Sequence, residues 1–404
     1  MGKARLQIAF VRARAPPARW ACPYRSCVLP SIHATALAIP FVLLPPPAPV
    51  GTADIDRACV SAHAARAERA YAASLASALV LRADVRALCA APTEAGLSKA
   101  RAAWTAARID YGRTEALRFG GGPIDARRGG RETWLNAWPV DEAYIEPADR
   151  SQARGIIGDP ATYPSLGRAI LRLLNQRGGE TNVCTGWHAI EFMLWGEDRS
   201  DDGPGNRPVA DFLDASGPRA ARRREYLLEV TELLCEDLDA VAREWRADGG
   251  AFRARFVDDP GAMRAVLTGP ALLSGFEMSG ERMAVALETR DQEEEHSCFS
   301  DTTHLDFRAN IEGIRDVLSG DDGAIAAIRA RDAAAAARVD ESLARAVRAV
   351  NAMPAPFDRA VRSPNGSVER VRVTEAMESL EALSEAIAAG ARAMGLSLPS
   401  EPQG

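Results

Sequence analysis

"RAERAYAASLASALVLRADVRALCAA", from Arg66 to Ala91, sets the architecture of this chain. Its apolar residues recur at spacings of three and four, which is the period of an amphipathic helix. The stretch from Thr93 to Phe119 has the same spacing, and Pro92 lies between the two. Because proline does not continue a helix, it marks a place where the chain can turn. The sequence therefore predicts an antiparallel helix pair here.

Helical spacing recurs through the rest of the chain, and no persistent alternation with a period of two indicates a sheet. The expected fold class is all-α. We expect two related four-helix-bundle-like domains, residues 54–205 and 206–404. An internal duplication would explain why "TGWHAIEFML" (Thr185–Leu194) can be aligned with "SGFEMSGERM" (Ser274–Met283).

The first 53 residues have the composition of an export signal. Basic residues come first, "ATALAIPFVLL" (Ala34–Leu44) carries no charge, and small residues follow at Gly51 and Ala53. This order is typical of a secretory signal peptide, and the apolar run is too short to span a bilayer comfortably. We expect residues 1–53 to be a cleaved leader, with a disordered Pro/Arg-rich leader as the alternative. The mature chain would then lie in the periplasm or cell envelope without a transmembrane span, and outer-membrane association stays open.

Charge and cysteine content narrow the classes of partner. The formal net charge is −6 at pH 7, which disfavours a nucleic-acid backbone. The absence of a CxxC motif disfavours a thiolate zinc site. Export would permit disulfides, but spacing does not indicate which cysteines of the mature chain would pair: Cys59, Cys89, Cys184, Cys235 and Cys298.

The stretch "TNVCTGWHAIEFMLWGED" (Thr181–Asp198) contains one of only five histidines in the chain. Thr181 and Asn182 are residue types that cap helix N-termini, so a helix is expected to begin just before Cys184. Gly186, which has no side chain, would let another backbone or a ligand approach closely.

His188 and Glu191 are three residues apart in that helix and would therefore share one face. An imidazole nitrogen and a carboxylate could then bind the same cation. The simpler alternative is a buried pair that satisfies itself by hydrogen bonding. Two protein ligands also leave a transition-metal site incomplete.

Two further polar clusters could complete such a site. One lies in "ETRDQEEEHSCFSDTTHLDF" (Glu288–Phe307) and contributes His296, Asp301, His304 and Asp306. The other lies in "NAWPVDEAYIE" (Asn136–Glu146) and contributes Asp141, Glu142 and Glu146 beside Trp138 and Pro139. A solvated acidic loop would explain the first cluster, and acids at the start of a helix would explain the second.

"GWHAIE" (Gly186–Glu191) matches the GxHxxE signature of the imelysin-like proteins. The resemblance covers about residues 55 to 395 and is closest to the branch of iron-regulated protein A and insulin-cleaving membrane protease. Further blocks follow in the family's order, and the first of them places Arg118 and Asp125 among the motif residues: "RFGGGPID", "NAWPVDEAYIE", "GERMAVALETRDQEEEHSCFSDTTH" and "NIEGIRDVLSG". The resemblance implies a bacterial envelope protein of two helical bundles, with the GxHxxE helix near their interface.

The first functional hypothesis is a binding protein that holds a metal cation and serves iron acquisition, together with other iron-uptake envelope proteins. Iron is the expected cation and zinc the second choice. His188 and Glu191 would be ligands, and the candidates for completing the shell are Glu142, Asp141, Asp301 and His304.

The second hypothesis is a metallopeptidase, the activity for which the family is named. Glu191 and Glu142 would then divide the roles of metal ligand and general base, because one residue cannot easily fill both. A third possibility is a non-catalytic structural or interaction module, which predicts neither metal binding nor cleavage.

Overall fold

The structure, a computed structural model, describes residues 51–126, 129–148, 154–199 and 203–402. Within these ranges the chain consists of helices and their connections, without strands. The predicted all-α fold class is confirmed. The predicted leader lies outside the described residues except for its last three positions, where the first helix begins at Thr52.

The helices are numbered in chain order. The first eight are α1 (Thr52–Ala90), α2 (Glu94–Gly112), α3 (Glu132–Leu135), α4 (Glu142–Ile145), α5 (Gly155–Gly158), α6 (Arg168–Leu174), α7 (Gly186–Trp195) and α8 (Pro218–Trp245). The others are α9 (Ala251–Asp258), α10 (Ala262–Leu272), α11 (Val285–Thr289), α12 (Thr303–Leu318), α13 (Ala324–Arg329), α14 (Ala333–Asn351), α15 (Asp358–Arg362) and α16 (Val368–Ala393).

Helix α1 packs against both α2 and α8. The turn between α1 and α2 contains Pro92, and the Thr93 side chain caps α2 by accepting a hydrogen bond from the Gly96 amide. The predicted helix pair is therefore present, although α1 begins earlier than expected, at Thr52. Leu81 and Leu88 are fully buried on α1, and each such burial stabilises the fold by roughly 1.5–3 kcal/mol.

A π-helical segment, Leu273–Ala284, joins α10 to α11 and packs against α16. Pro270 precedes it and lacks an amide hydrogen, and the Ser274 hydroxyl donates to the Pro270 carbonyl at 2.8 Å. π-Helical turns are rare and often occur at functional sites. This segment carries Glu277 and Arg282 into a buried ionic network.

Val50–Gly404 forms one compact unit. Helix α1 contacts helices on both sides of the boundary proposed at residue 205, including α2, α8, α10 and α13. The division into domains 54–205 and 206–404, and the internal duplication, stay predictions.

All five cysteines of the described ranges are buried and carry free thiols. Burial raises the pKa of the Cys59, Cys89 and Cys235 thiols to about 12. Across the same ranges, no helix combines the length and the apolar character that crossing a membrane would require.

Candidate functional site

Helix α7 carries the candidate pair, and its first residue is Gly186. This glycine has a φ of +86°, and a Cβ atom added there would lie 2.4 Å from the Leu135 carbonyl oxygen. A side chain would therefore force the Leu135 backbone to move. The close approach expected at Gly186 is made by the backbone at the C-terminal end of α3.

The predicted start of this helix, just before Cys184, is wrong. Thr185 occupies the N-cap position, and Cys184 lies outside the helix. The two residues expected to cap the helix make other hydrogen bonds. The Asn182 side chain donates to the Arg177 carbonyl, and the Thr181 carbonyl accepts from the Asp141 amide.

The C-terminal end of α7 is held by two arginines. Arg101 donates to the Leu194 carbonyl at 3.0 and 2.9 Å, and Arg207 donates to the Phe192 carbonyl at 3.4 Å. Arg101 thus satisfies a carbonyl at the end of the helix, and Arg207 adds a second donor to the Phe192 carbonyl, which also accepts from the Gly196 amide at 2.7 Å. Both arginines place positive charge at the negative end of the helix. Helix α7 is therefore fixed at both ends.

His188 and Glu191 lie on one face of α7, as predicted, and share a hydrogen bond of 2.9 Å between Nδ1 and Oε2. Their side chains are 1% and 0% exposed. Oε1 of Glu191 accepts from the Ser300 amide at 2.9 Å and from the Ser300 hydroxyl at 2.7 Å. In contrast, Nε2 of His188 has no hydrogen-bond partner within the described part of the chain.

Burial controls the protonation of this pair. It lowers the pKa of His188 well below its usual value, and the positive charge of Arg108 lowers it further. It also raises the pKa of Glu191 to about 8, although the Ser300 hydrogen bonds act in the opposite direction. Burial therefore disfavours the charged form of both side chains.

A second imidazole, that of His296, lies beside the pair. The ring centres of His188 and His296 are 4.7 Å apart. Nδ1 of His296 lies 3.3 Å from Oδ2 of Asp306, and Trp138 packs edge-on against the ring at 5.6 Å. Burial and the charges of Arg282 and Arg108 lower the pKa of His296 well below its usual value.

Arg108 connects the two histidines to the rest of the core. Its Nε donates to Asp306 at 3.1 Å, and its Nη2 lies 2.9 Å from Nδ1 of His296. Arg108 was not among the predicted site residues. The sequence feature that could have indicated it is its position on the apolar face of α2. Arg108 lies four residues after Trp104 and three before Tyr111, which are both buried.

A buried ionic network continues from Arg108 towards the π-helical segment. Asn136 accepts from Arg108 and donates to Glu115 at 2.8 Å, and Arg282 donates to the other oxygen of Glu115 at 2.8 Å. Arg282 also donates to Glu277 at 2.7 Å. Burial raises the pKa of Glu277, but Arg118 and Arg282 reverse this effect and lower it to about 2.

Arg118 and Asp125, two of the predicted motif residues, belong to the far end of this network. Arg118 contacts Asp125 at 3.4 Å and Glu277 at 3.2 Å, and Asp125 accepts from the Phe119 amide at 2.6 Å. Burial is the main cause that raises the pKa of Asp125. They stabilise the network rather than contact His188.

The predicted ligands Asp141 and Glu142 lie at the start of α4. Asp141 is exposed and caps the helix by accepting from the Ala143 amide at 3.0 Å. Glu142 is partly buried, and burial raises its pKa to about 7. Burial raises the pKa of the Cys298 thiol well above its usual value, and the charges of Glu191 and Glu142 raise it further.

The predicted ligands Asp301 and His304 belong to a neighbouring acidic group. Asp301 has a φ of +56°, and burial, followed by the charge of Asp358, raises its pKa to about 7. His304 is half-buried and also lies near Asp358. Next to them, burial raises the pKa of Glu295 well above its usual value.

In the described ranges, no three His, Cys, Asp or Glu side chains are arranged to hold a metal ion. Of the predicted site residues, the structure brings together His188, Glu191, His296 and Trp138. Asp306, from the same polar cluster as His296, joins them. Ser300 and Arg108 also join them, and the sequence does not predict these two as site residues. Whether the remaining candidates act as ligands stays a prediction.

Comparison with known proteins identifies the family. The family described as "Peptidase_M75: Imelysin" matches residues 67–387. Iron-regulated protein A of Synechococcus elongatus is 26% identical over 314 residues, which cover 74% of each chain.

Two crystal structures share the fold. One, described as an iron-regulated protein A precursor from Parabacteroides distasonis, has a TM-score of 0.68 at 18% identity and covers 86% of this chain and 97% of its own. The other, an imelysin-like protein from Psychrobacter arcticus, has a TM-score of 0.60 at 13% identity and covers 87% and 98%. Because the family match spans most of the sequence, the chain belongs to the imelysin family.

Proposed function

We propose that this chain is an exported cell-envelope protein that binds a metal cation at the His188/Glu191 pair and takes part in iron acquisition. The observation that carries the proposal is the buried Nε2 atom of His188, which has no partner in the described residues while Nδ1 is held by Glu191.

The chemistry of this pair suits a metal ligand. A neutral imidazole binds transition metals through a nitrogen lone pair, and a carboxylate on the opposite ring nitrogen commonly fixes its orientation. A buried polar atom without a partner costs about 1–3 kcal/mol, which a bound ligand would recover. Glu191 would orient His188, or would itself bind the cation after releasing Ser300 and His188.

Iron is the first cation to test. The name of the Synechococcus relative describes that protein as iron-regulated. Imidazole and carboxylate donors also suit iron and zinc, so zinc is the second cation. Other iron-uptake proteins of the envelope would be the partners.

The metal test uses the full chain purified after export. Elemental analysis and calorimetry should find a stoichiometric transition metal that is lost in His188→Ala. His63→Ala is the matched control, because His63 is also buried but packs between Trp245 and Phe256. Metal retained unchanged in His188→Ala would refute the assignment.

A metallopeptidase is the second candidate. It is favoured by Glu142, whose pKa of about 7 suits a general base near neutral pH. Cleavage of unfolded polypeptides that stops with a chelator and in Glu191→Gln would favour the enzyme. Metal binding without cleavage would favour the binding protein. If the protein neither binds metal nor cleaves polypeptides, the structural module would be favoured.

Export has its own test. Mass spectrometry of the native protein should find a mature N-terminus near Ala53. Intact residues 1–50 on the mature protein would contradict the proposed leader.

A further inference from the structure

We infer that the groove between the loop of residues 118–125, helix α9 and the C-terminal tail binds an extended segment of a partner protein that contains proline and a carboxylate. The inference goes beyond the proposed metal binding, because the groove lies where the buried ionic network ends at Arg118 and not at His188.

The groove has a volume of about 1090 Å³. Small-molecule sites usually occupy roughly 300–1,000 Å³, so this groove has room for a longer ligand. Its walls come from the loop of residues 118–125, from residues of α9 and α10, and from the tail after α16. The motif "RFGGGPID", which the proposed metal site does not use, therefore forms one wall of a groove.

The loop of residues 118–125 is held in an unusual conformation. Phe119 has a φ of +65°, which bulky residues rarely adopt. The Arg118 guanidinium lies 4.6 Å from the centre of the Phe119 ring, and Asp125 accepts from the Phe119 amide at 2.6 Å. Beside it, Gly121 leaves open space, since an added Cβ would meet nothing within 4 Å. Backbone strain that the surroundings maintain in this way often occurs at binding sites.

A second wall offers aromatic rings. Phe252 and Phe256 stack with their ring centres 5.7 Å apart and 27° between the planes. Trp245 packs edge-on against both rings, at 4.8 and 5.3 Å. Grooves lined by aromatic rings are a recurring way to bind proline-containing segments, because such segments are already extended and lose little entropy on binding.

The same wall carries two exposed arginines, Arg255 and Arg264. Within the described ranges neither of them forms an ion pair, and Arg255 lies 5.9 Å from the centre of the Phe252 ring. Asp259 is close in the chain, but its carboxylate accepts from the Gly261 amide at 2.6 Å. A guanidinium binds a carboxylate through two parallel hydrogen bonds. The arginines therefore favour a ligand that carries an acid next to its proline.

The C-terminal tail of the chain shows that a segment of this kind fits along the groove. Leu396 and Leu398 pack against the core, and Pro399 and Pro402 then line the groove. Proline fixes its own φ and favours an extended backbone in the preceding residue. Glu401 lies between the two prolines, is exposed and forms no ion pair in the part of the chain that the structure describes. Both arginines are thus left available to a partner.

The test measures binding of a fluorescent synthetic peptide with the tail sequence LSLPSEPQG to the full chain, in the presence of a metal chelator. Fluorescence anisotropy should show saturable binding. Arg255→Gln combined with Arg264→Gln should weaken it by roughly threefold or more. Arg338→Gln, at an exposed position of α14 outside the groove, is the matched control and should leave binding unchanged.

Variants of the peptide identify the chemistry that is recognised. Replacing its glutamate by glutamine should weaken binding to wild type, but the Arg255→Gln/Arg264→Gln variant should bind both peptides equally, because the charge pair is already lost. Replacing both prolines by alanine should weaken binding to each protein. Pro402→Gly in the chain loosens the resident tail and covers the case in which that tail fills the groove.

Three outcomes would overturn the inference. The first is the absence of saturable binding to both wild type and Pro402→Gly, and the second is binding that the two arginine substitutions leave unchanged. The third is self-association of the full chain that the same substitutions abolish, which would make a second copy the occupant. Each of them leaves the proposed metal binding standing, since the chelator separates the two measurements.

Discussion

Replacing Gly186 by alanine should destabilise the protein by more than the cost of its left-handed backbone alone, because the new side chain would also collide with the Leu135 backbone. The left-handed backbone costs an alanine about 1–2 kcal/mol. The new Cβ would also lie 2.4 Å from the Leu135 oxygen and 2.7 Å from the Trp134 oxygen. Overpacking of this kind adds about 1–3 kcal/mol. The expected total is therefore about 2–5 kcal/mol.

Gly366→Ala is the matched control, because Gly366 has a similar φ of +81° and nothing within 4 Å of an added Cβ. It should cost only about 1–2 kcal/mol. Guanidinium unfolding, followed by tryptophan fluorescence and circular dichroism, measures both variants. Equal losses in the two variants would refute the claim that the Leu135 backbone requires a glycine at residue 186.

Three further predictions concern the site and the core. Burial raises the pKa of Glu191 to about 8 in the folded chain, so the stability that its protonated form contributes is lost as the pH rises from 5 to 8. The buried histidines, whose pKa values are lowered, act with the opposite sign in wild type and in Glu191→Gln. In urea unfolding of metal-free protein, the stability of wild type relative to Glu191→Gln should therefore fall by about 3 kcal/mol between pH 5 and pH 8, and parallel pH curves would refute this. Ser300→Ala should lower the free energy of unfolding by about 1 kcal/mol in thermal unfolding, because it removes the hydroxyl hydrogen bond to Glu191 and leaves the hydrogen bond from the backbone N–H in place. Leu81→Ala should cost about 2–5 kcal/mol, while Leu79→Ala, at an exposed position of the same helix, should stay within about 0.5 kcal/mol.

Helices whose bounds depend only on neighbouring residues are predictable from the sequence. The pairing of α1 with α2 follows from apolar spacing and Pro92, which act within a few residues. The start of α7 was mispredicted because a tertiary contact sets it. Thr181 and Asn182 are suitable caps, but the backbone of Leu135 imposes the turn at Gly186.

The candidate site is predictable only in part, because some of its contacts lie within one helix and others join distant segments of the chain. The spacing of His188 and Glu191 places them on one face of a helix, whatever surrounds them. The partner of Arg108 is Asp306, which lies 198 residues further along the chain. Only the packing of α2 against α12 brings these two together, and no local pattern encodes that contact.

A network of buried charges surrounds the two histidines of the candidate site. Its cations are Arg108, Arg118 and Arg282, and its carboxyl groups are Glu115, Glu277, Asp306, Asp125 and Glu132.

Removing charges from water is costly, and apolar residues of similar volume often stabilise such a core equally well or better. Stability alone therefore gives little reason to keep these charges. What they do provide is geometry, because a chain of bonds leads from Arg118 to Arg108, and Arg108 contacts both Asp306 at 3.1 Å and Nδ1 of His296 at 2.9 Å. The structural effect of the network is therefore to hold His296 beside His188, with ring centres 4.7 Å apart.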